Sequence, residues 1–350
     1  MILDHLDVPI VLAPLAGGPT TPQLAAAVAD AGGLGFLAAG YLTAAALAEQ
    51  IRQARDLTSG PLGVNVFVPG GGAADHGPVT EYAAMLAAEA LQAGVELGQP
   101  RFDDDDWDAK LALLIAHPLP VTSFTFGCPD PAVIKALQAA ASEVWVTVTS
   151  PAEAVLAADA GADVLIIQGS EAGGHRGSFT DDPADDVSGG FGLLSLLQLV
   201  RSRTSLPLVA AGGIGTGAGV AAALAAGAAA AQIGTAFLRC PEAGTSPVQR
   251  AAVASAAPTA MTRAFTGRLA RGIRNRFMDG YNAPAAYPEV HYLTAPLRAA
   301  GRRSGDADLV NLWAGQTHEL SHELPAAALV AELAREAQES LAAAIRRLGE

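Results

Sequence analysis

The sequence predicts an α/β chain folded as a (β/α)8 barrel, and three observations carry that prediction. Short β-rich runs alternate with Ala/Leu-rich helical stretches eight times, within roughly 250 residues, the usual span of such a barrel. The chain has 350 residues and is 51% hydrophobic, enough for one large core. Three of the β-rich runs open onto glycine-rich loops: Gln168–Gly177, Ala211–Gly215 and Gln232–Thr235. A barrel carries its chemistry in the loops that follow its strands. A doubly wound open sheet rarely holds so many evenly spaced units.

Taken in order, Ile10–Ala13 reads as the first strand and Pro22–Ala31 as the first helix. Leu34–Leu37 is the second strand, followed by a helix over Thr43–Leu57. Leu62–Phe67 is the third strand, Pro120–Phe124 the fourth with a helix from Pro131, and Val144–Val148 the fifth with a helix over Pro151–Ala160. The β-branched run Val164–Gln168 is the sixth. Pro207–Ala210 is the seventh, with a helix over Thr216–Ala226, and Ala230–Ile233 the eighth.

Two stretches break the rhythm. Gly70–Pro100 carries an extra helix over roughly Val79–Ala93, and the acidic run Asp103–Asp106 then reads as a solvated helix start ahead of Trp107. Cys240–Asp308 is long, Arg-rich and irregular, and holds Tyr281, Tyr287 and Tyr292. It reads as a smaller cap domain, residues 240–308, inserted into a barrel of residues 1–239 and 309–350 before the C-terminal helices. Leu309–Trp313 and a helix over Ala326–Leu348 return to the barrel.

Composition narrows the function. The formal net charge of −14 argues against nucleic acid or an anionic membrane surface as a partner. The cysteines Cys128 and Cys240 have no metal-site spacing, so a reducing compartment and no metal are expected. Asp4 and Asp7 stand where a basic leader would be, and no apolar run is long enough to span a bilayer. The expectation is a cytoplasmic protein, with a homodimer left open.

The loops after the seventh and eighth strands, with Gly212, Gly213, Gln232, Ile233, Gly234 and Thr235, occupy the positions where barrels bind phosphate. Gly213-Ile-Gly215-Thr-Gly217-Ala218 fits a dinucleotide pattern loosely, but no carboxylate follows near Gln232 and Thr235 to hold a ribose. A mononucleotide phosphate is the better reading. Asn65 and Gln168, at strand ends, have amides able to read the edge of a ring, and Ala13-Pro14-Leu15 would let a flat ring lie on the backbone. Within the sixth loop Gly173 and Gly174 permit close approach, and His175 is the one good acid/base candidate. Lysine occurs only at Lys110 and Lys135, both in helices, which excludes a Schiff-base aldolase. No paired carboxylates close the strands, which argues against a glycosidase. Glu171 is a candidate to orient His175 or a solvated loop acid. His291, His318 and His322 read as surface or structural. Arg263, Arg268, Arg271, Arg274 and Arg276 read as a helix face paired with acids, or as the source of one cation for an anionic substrate.

At these motifs the chain resembles the nitronate monooxygenases of the bacterial type. The matching pieces are Ala13-Pro14-Leu15-Ala16-Gly17-Gly18, Gly63-Val64-Asn65, Ser123-Phe124-Thr125-Phe126-Gly127-Cys128-Pro129 and Gln168-Gly169-Ser170-Glu171-Ala172-Gly173-Gly174-His175. Ala210-Ala211-Gly212-Gly213-Ile214, Gln232-Ile233-Gly234-Thr235, Gly267-Arg268-Leu269-Ala270-Arg271-Gly272 and Leu312-Trp313-Ala314-Gly315-Gln316 complete the set. The resemblance implies a TIM barrel with a cap, FMN as cofactor and His175 as the catalytic residue. It implies oxidation of alkyl nitronates, propionate 3-nitronate among them, by O2 to a carbonyl compound and nitrite. After Gln316 many relatives continue with a Tyr and a basic residue, whereas this chain has Thr317-His318, which bears on substrate preference. The same superfamily includes FMN-dependent enoyl reductases driven by NAD(P)H, so a reductase is the alternative. A flavin-binding accessory protein without turnover is a third reading.

Overall fold

The runs rich in Val, Ile and Leu are buried on both faces, the condition that favours a parallel sheet covered by helices. In the computed structural model, which describes residues 1–72, 75–183 and 189–349, they form a ring of parallel strands. The members are β1 (Ile10–Leu12), β2 (Gly35–Ala38), β3 (Leu62–Phe67), β4 (Val121–Thr125), β5 (Glu143–Val148), β6 (Val164–Gln168), β8 (Leu208–Ala211) and β9 (Ala230–Ile233). Each lies within one residue of its expected bounds. The strand order is β1-β9-β8-β6-β5-β4-β3-β2. Hydrogen bonds from Leu12 N–H to Leu34 C=O (2.9 Å) and from Leu34 N–H to Ile10 C=O (3.0 Å) bring the first strand to the second. The fold is therefore a (β/α)8 TIM barrel.

The helices begin where the sequence supplies caps. Thr21, Thr43, Ser150 and Thr216 each accept a backbone N–H three residues on, and Pro22 and Pro151 take the first helical turn. Inside the barrel, Gly63 leaves the space that the Phe36 ring fills, and Phe36 packs on Trp145 with ring centroids 5.9 Å apart. Asn65 and Phe67, on the same face of β3 as Gly63, are thereby left to line the open end.

Above that end lies a second layer. A short strand β7 (Gly174–His175) pairs antiparallel with β11 (Ala270–Ile273), which pairs with β10 (Thr259–Thr262). Over this sheet a separate apolar core joins Val79, Tyr82 and Ala90 to Phe265, Phe277 and Leu293. The expected helix over Val79–Ala93 is two helices, Gly77–Met85 and Ala87–Ala93, which turn on the buried Leu86 so that Tyr82 and Ala90 both reach this core. A helix the sequence reading did not name, Leu193–Arg201, follows the sixth loop. Leu196, Leu197 and Val200 form its buried face and Leu194 is 58% exposed, an amphipathic pattern that the strand-and-helix count passed over.

The second layer is tied to the segment carrying residues 77–93 by one buried hydrogen bond, from the Tyr82 hydroxyl to the Ala264 carbonyl (2.7 Å). Tyr82→Phe strands that carbonyl and is expected to cost about 1–2 kcal/mol, read as a lower midpoint in urea at an unchanged slope. An unchanged midpoint would mean that the apolar contacts and the Glu89–Arg276 ion pair hold this segment without it.

Candidate active site

The strand ends and the second layer enclose a cavity of about 430 Å3, within the range of small-molecule sites. Its floor is shaped by the sixth loop. The Gln168 side chain, at the end of β6, is engaged at both ends: Nε2 donates to the His175 carbonyl (3.0 Å) and Oε1 accepts from Gly177 N–H (2.8 Å). The loop thus folds back over its own strand and delivers β7 to the second layer. Gly173 has no space for a side chain, since a Cβ there would stand 2.4 Å from the backbone of Ala314 and Gly315. Gly212 and Gly213 have φ of +104° and +69°, and a Cβ on either would meet Ala172 or Glu171 at 2.8–2.9 Å. Glu171 neither orients His175 nor stays in solvent. Its carboxylate accepts Leu193 N–H (3.0 Å) at the start of the helix Leu193–Arg201, where a negative charge meets the helix dipole.

His175 stands in a box of rings, with Phe126, Tyr287 and Trp313 centroids 5.5–5.7 Å away. Its Nε2 lies 2.9 Å from the Thr266 hydroxyl, which is also 3.2 Å from the Arg268 carbonyl. When Thr266 donates to that carbonyl, it accepts from His175 Nε2–H, and Nδ1 is left as an acceptor. Desolvation, and then the positive charges of Arg268 and Arg298, push the imidazole down from 6.5 to about 3. The ring is therefore neutral at neutral pH.

The opposite wall consists of residues the sequence left aside. Tyr41 stacks on His291 (4.3 Å between centroids, 4° between planes), and the Tyr41 and Tyr287 hydroxyls are 3.3 Å apart. His291 is thus a cavity residue, a correction to its reading as surface or structural. His318 is buried between the carbonyls of Val253 and Ala257. Arg298, 5% exposed, reaches the His291 carbonyl (2.6 Å) and the Thr294 hydroxyl (3.2 Å) and, among the described residues, has no carboxylate within ion-pair distance. Burial pulls it down to about 10. One turn on, Arg302 is exposed and donates to Asn311 Oδ1 (2.8 Å). Nothing in the sequence singles these two arginines out, because a lone Arg on a helix is ordinarily a surface residue.

The cluster Arg263–Arg276 is a β-hairpin and the short helix after it, rather than one helix face. Arg263 pairs with Asp181, and Arg268 lies over the Phe126 ring with its head on the Ser178 carbonyl. Arg271 holds the Ser170 carbonyl (2.9 Å), Arg274 pairs with Asp279, and Arg276 pairs with Glu89. Packing against the sixth loop, which only the tertiary fold reveals, decides this arrangement.

Of the residues read as a site, Ala13, Pro14, Leu15, Asn65, Gln168, Gly173, Gly174, His175, Gly212, Gly213, Gln232, Gly234 and Thr235 all line this one cavity. Ile233 does not: it is 1% exposed in the barrel core, and its carbonyl accepts Ala13 N–H (2.8 Å). Asn65 Nδ2 is occupied by the Ser123 and Thr125 hydroxyls (2.9 and 3.0 Å). Gln232 Nε2 is buried without a partner. Among the described residues no group of three or more His, Cys, Asp or Glu is arranged to hold a metal, and no helix is long and apolar enough to cross a membrane.

Residues 2–336 match the family model "Nitronate monooxygenase". The chain belongs to the nitronate monooxygenase family. Members are generally flavin-dependent oxidoreductases, and this chain is an oxidoreductase. It is 36% identical over 337 residues to a probable nitronate monooxygenase of Staphylococcus aureus, covering 94% of each chain. Its fold superposes on that of a nitroalkane oxidase from Streptomyces ansochromogenes with a TM-score of 0.96 at 51% identity, over 98% of this chain and 99% of that one. FabK from Thermotoga maritima shares the fold at a TM-score of 0.76 and 26% identity, over 99% and 97%.

The neutral state of His175 has a consequence for stability. The unfolded chain binds a proton at this group as the pH falls through 6.5, and the folded chain does so only near 3. Its contribution is present in full above pH 6.5 and is lost below it, by at most about 1.4 kcal/mol per pH unit. His175→Gln is expected to flatten the fall in thermal midpoint between pH 6.5 and 5; an unchanged slope would show that His175 is not held neutral.

Proposed function

We propose that this protein is an FMN-dependent monooxygenase that oxidises alkyl nitronates with O2 to a carbonyl compound and nitrite. The observation that carries the reading is the charge of the cavity wall. Among the described residues its charged side chains are Arg298 and Arg302, with no carboxylate, in a chain of net charge −14. Such a wall draws a small anion out of water and toward His175.

The residues present fit FMN. The backbone N–H groups of Gly212, Gly213, Gly234 and Thr235, with the N-terminus of the helix Gly217–Ala225 behind them, suit the phosphate. The unpartnered Gln232 Nε2 and the free Asn65 Oδ1 suit the edge of the ring, and the Ala13–Leu15 backbone its face. When bound, FMN supplies the electron acceptor that the side chains here lack. His175 Nδ1 takes the α-proton of a neutral nitroalkane, and the negative charge of the nitronate so formed offsets the imidazolium that Arg268 and Arg298 oppose. Thr266 holds the imidazole in the tautomer this requires. Arg298 meets the negative charge of the nitronate, and the rings of Phe126, Tyr287 and Trp313 keep bulk water away. In this reading residues 1–239 and 309–350 form the FMN-binding barrel and 240–308 the cap, and the helices of residues 77–93 share the cap's core. The free Cys128 and Cys240 suit a cytoplasmic setting.

The test is an anaerobic titration of the yellow protein with propyl-2-nitronate, followed in the flavin absorbance bands. Loss of the oxidised spectrum, restored by air with release of nitrite, is the expected result. A spectrum that stays still with nitronate and bleaches with NADH would replace this reading with a reductase, the alternative that the likeness to FabK keeps in view. A spectrum that responds to neither would leave an accessory flavoprotein. His175→Ala should keep the flavin and lose most turnover, roughly a hundredfold or more. Arg298→Met should raise KM by about tenfold or more, the loss of one buried charge–charge contact.

A further inference from the structure

We infer that Asp105 is a positioning residue: through the backbone of Tyr41 it fixes the substrate-facing Tyr41–His291 stack. The inference rests on the reading of the cavity given above and concerns residues outside it. The acidic run Asp103–Asp106 does lead into a helix, Trp107–Ala116, with Asp104 and Asp106 exposed, but Asp103 and Asp105 are half-buried and hold other parts of the chain. Asp105 Oδ1 accepts Tyr41 N–H (2.8 Å), while its Oδ2 pairs with Lys110 Nζ (2.7 Å), a lysine with no exposed surface. Two residues earlier, Asp103 Oδ2 accepts the Tyr292 hydroxyl (2.7 Å). Tyr292 directly follows His291 in the helix Glu289–Ser304. One short turn therefore holds both partners of the stack, Tyr41 from the barrel side and His291 by way of its neighbour.

The strain in this arrangement points the same way. Tyr41 has φ +68°, and Asp105 and Asp106 have +60° and +54°, values that residues with a Cβ rarely adopt. Asp103 and Asp104 accept the N–H groups of Asp105 and Asp106, which stabilises the turn itself (2.9 and 3.2 Å). Left to itself, the backbone at Tyr41 would relax to an extended conformation and swing the ring off His291. The hydrogen bond that Tyr41 N–H donates to Asp105 opposes this at the backbone, while Phe67 and the Tyr287 hydroxyl contact the side chain. The ion pair with Lys110 holds the carboxylate in place by charge rather than by an aligned hydrogen bond.

The test separates positioning from plain stability with two double variants, each removing the buried ion pair as a whole. D105N/K110M keeps an acceptor for Tyr41 N–H; D105A/K110M does not. The expected result is a KM for propyl-2-nitronate within about threefold of wild type for the first and about tenfold higher for the second. Flavin content, thermal midpoint and kcat should agree between the two doubles within about twofold or a few degrees. A second readout needs no turnover: the dissociation constant of isobutyrate, a planar anion of similar size, measured by perturbation of the flavin spectrum, should rise in the same ratio. Equal KM and equal isobutyrate affinity in the two doubles would overturn the inference, as would a parallel loss of flavin and kcat in the second alone. If wild type oxidises no nitronate but the isobutyrate affinities still separate, the functional reading fails and the positioning role stands.

Discussion

The constraint on which the rest of the molecule depends is the meeting of three loops backbone to backbone. Residues 171–173, 211–213 and 313–316 come from distant parts of the chain and meet with no side chain larger than the Glu171 stem between 171–173 and 211–213. Gly173 lies against Ala314 and Gly315, Gly212 against Ala172, and Gln316 N–H donates to the Glu171 carbonyl (3.0 Å). Gly315 N–H reaches the Thr235 hydroxyl (2.9 Å), which brings in the eighth barrel loop. Glycine is used here because nothing larger fits, and its conformational entropy cost is offset by a floor that cannot shift. Once that junction is set, the positions of Trp313, of the loops at residues 211–215 and 232–235 and of β7 follow from it.

Electrostatics then distinguishes the cavity from the exterior. The surface carries an excess of acids, yet the cavity wall has none among the described residues and presents Arg298 from within the protein. Burial makes that cation expensive to leave alone. Among the described residues its partners are a hydroxyl, a carbonyl and an imidazole, none of which cancels its charge in the cavity. The neutrality of His175 is part of the same arrangement, since a second cation beside Arg268 and Arg298 would be opposed by both.

Much of this was legible from residue order. Strand runs such as Val164–Gln168 were fixed by burial on both faces, and helix starts at Pro22 and Pro151 by caps, both local properties. The glycine loops and His175 were legible because glycine needed for close approach leaves a visible cluster. What escaped was set by long-range contact. His291 and Arg298 lie on a helix whose pattern resembles any amphipathic surface helix until it is laid over the barrel mouth. Arg268 reads as one of five clustered arginines, and only its seat over the Phe126 ring tells it apart. The run Asp103–Asp106 has the composition of a solvated turn, and its partners Tyr41 and Tyr292 are about sixty and one hundred and ninety residues away. Leu193–Arg201 was legible too, since Leu196, Leu197 and Val200 mark one buried face at helical spacing.

One feature of the upper sheet bears on how ligands enter. Its third strand is β7, so His175 belongs to the same hydrogen-bonded ribbon as Ala270 and Arg271. A lid that hinged upward as a separate body would tear that ribbon or carry the imidazole away from the floor along with it. The roof and His175 are thus mechanically one piece, so that any motion of the β-ribbon over the cavity moves the imidazole with it.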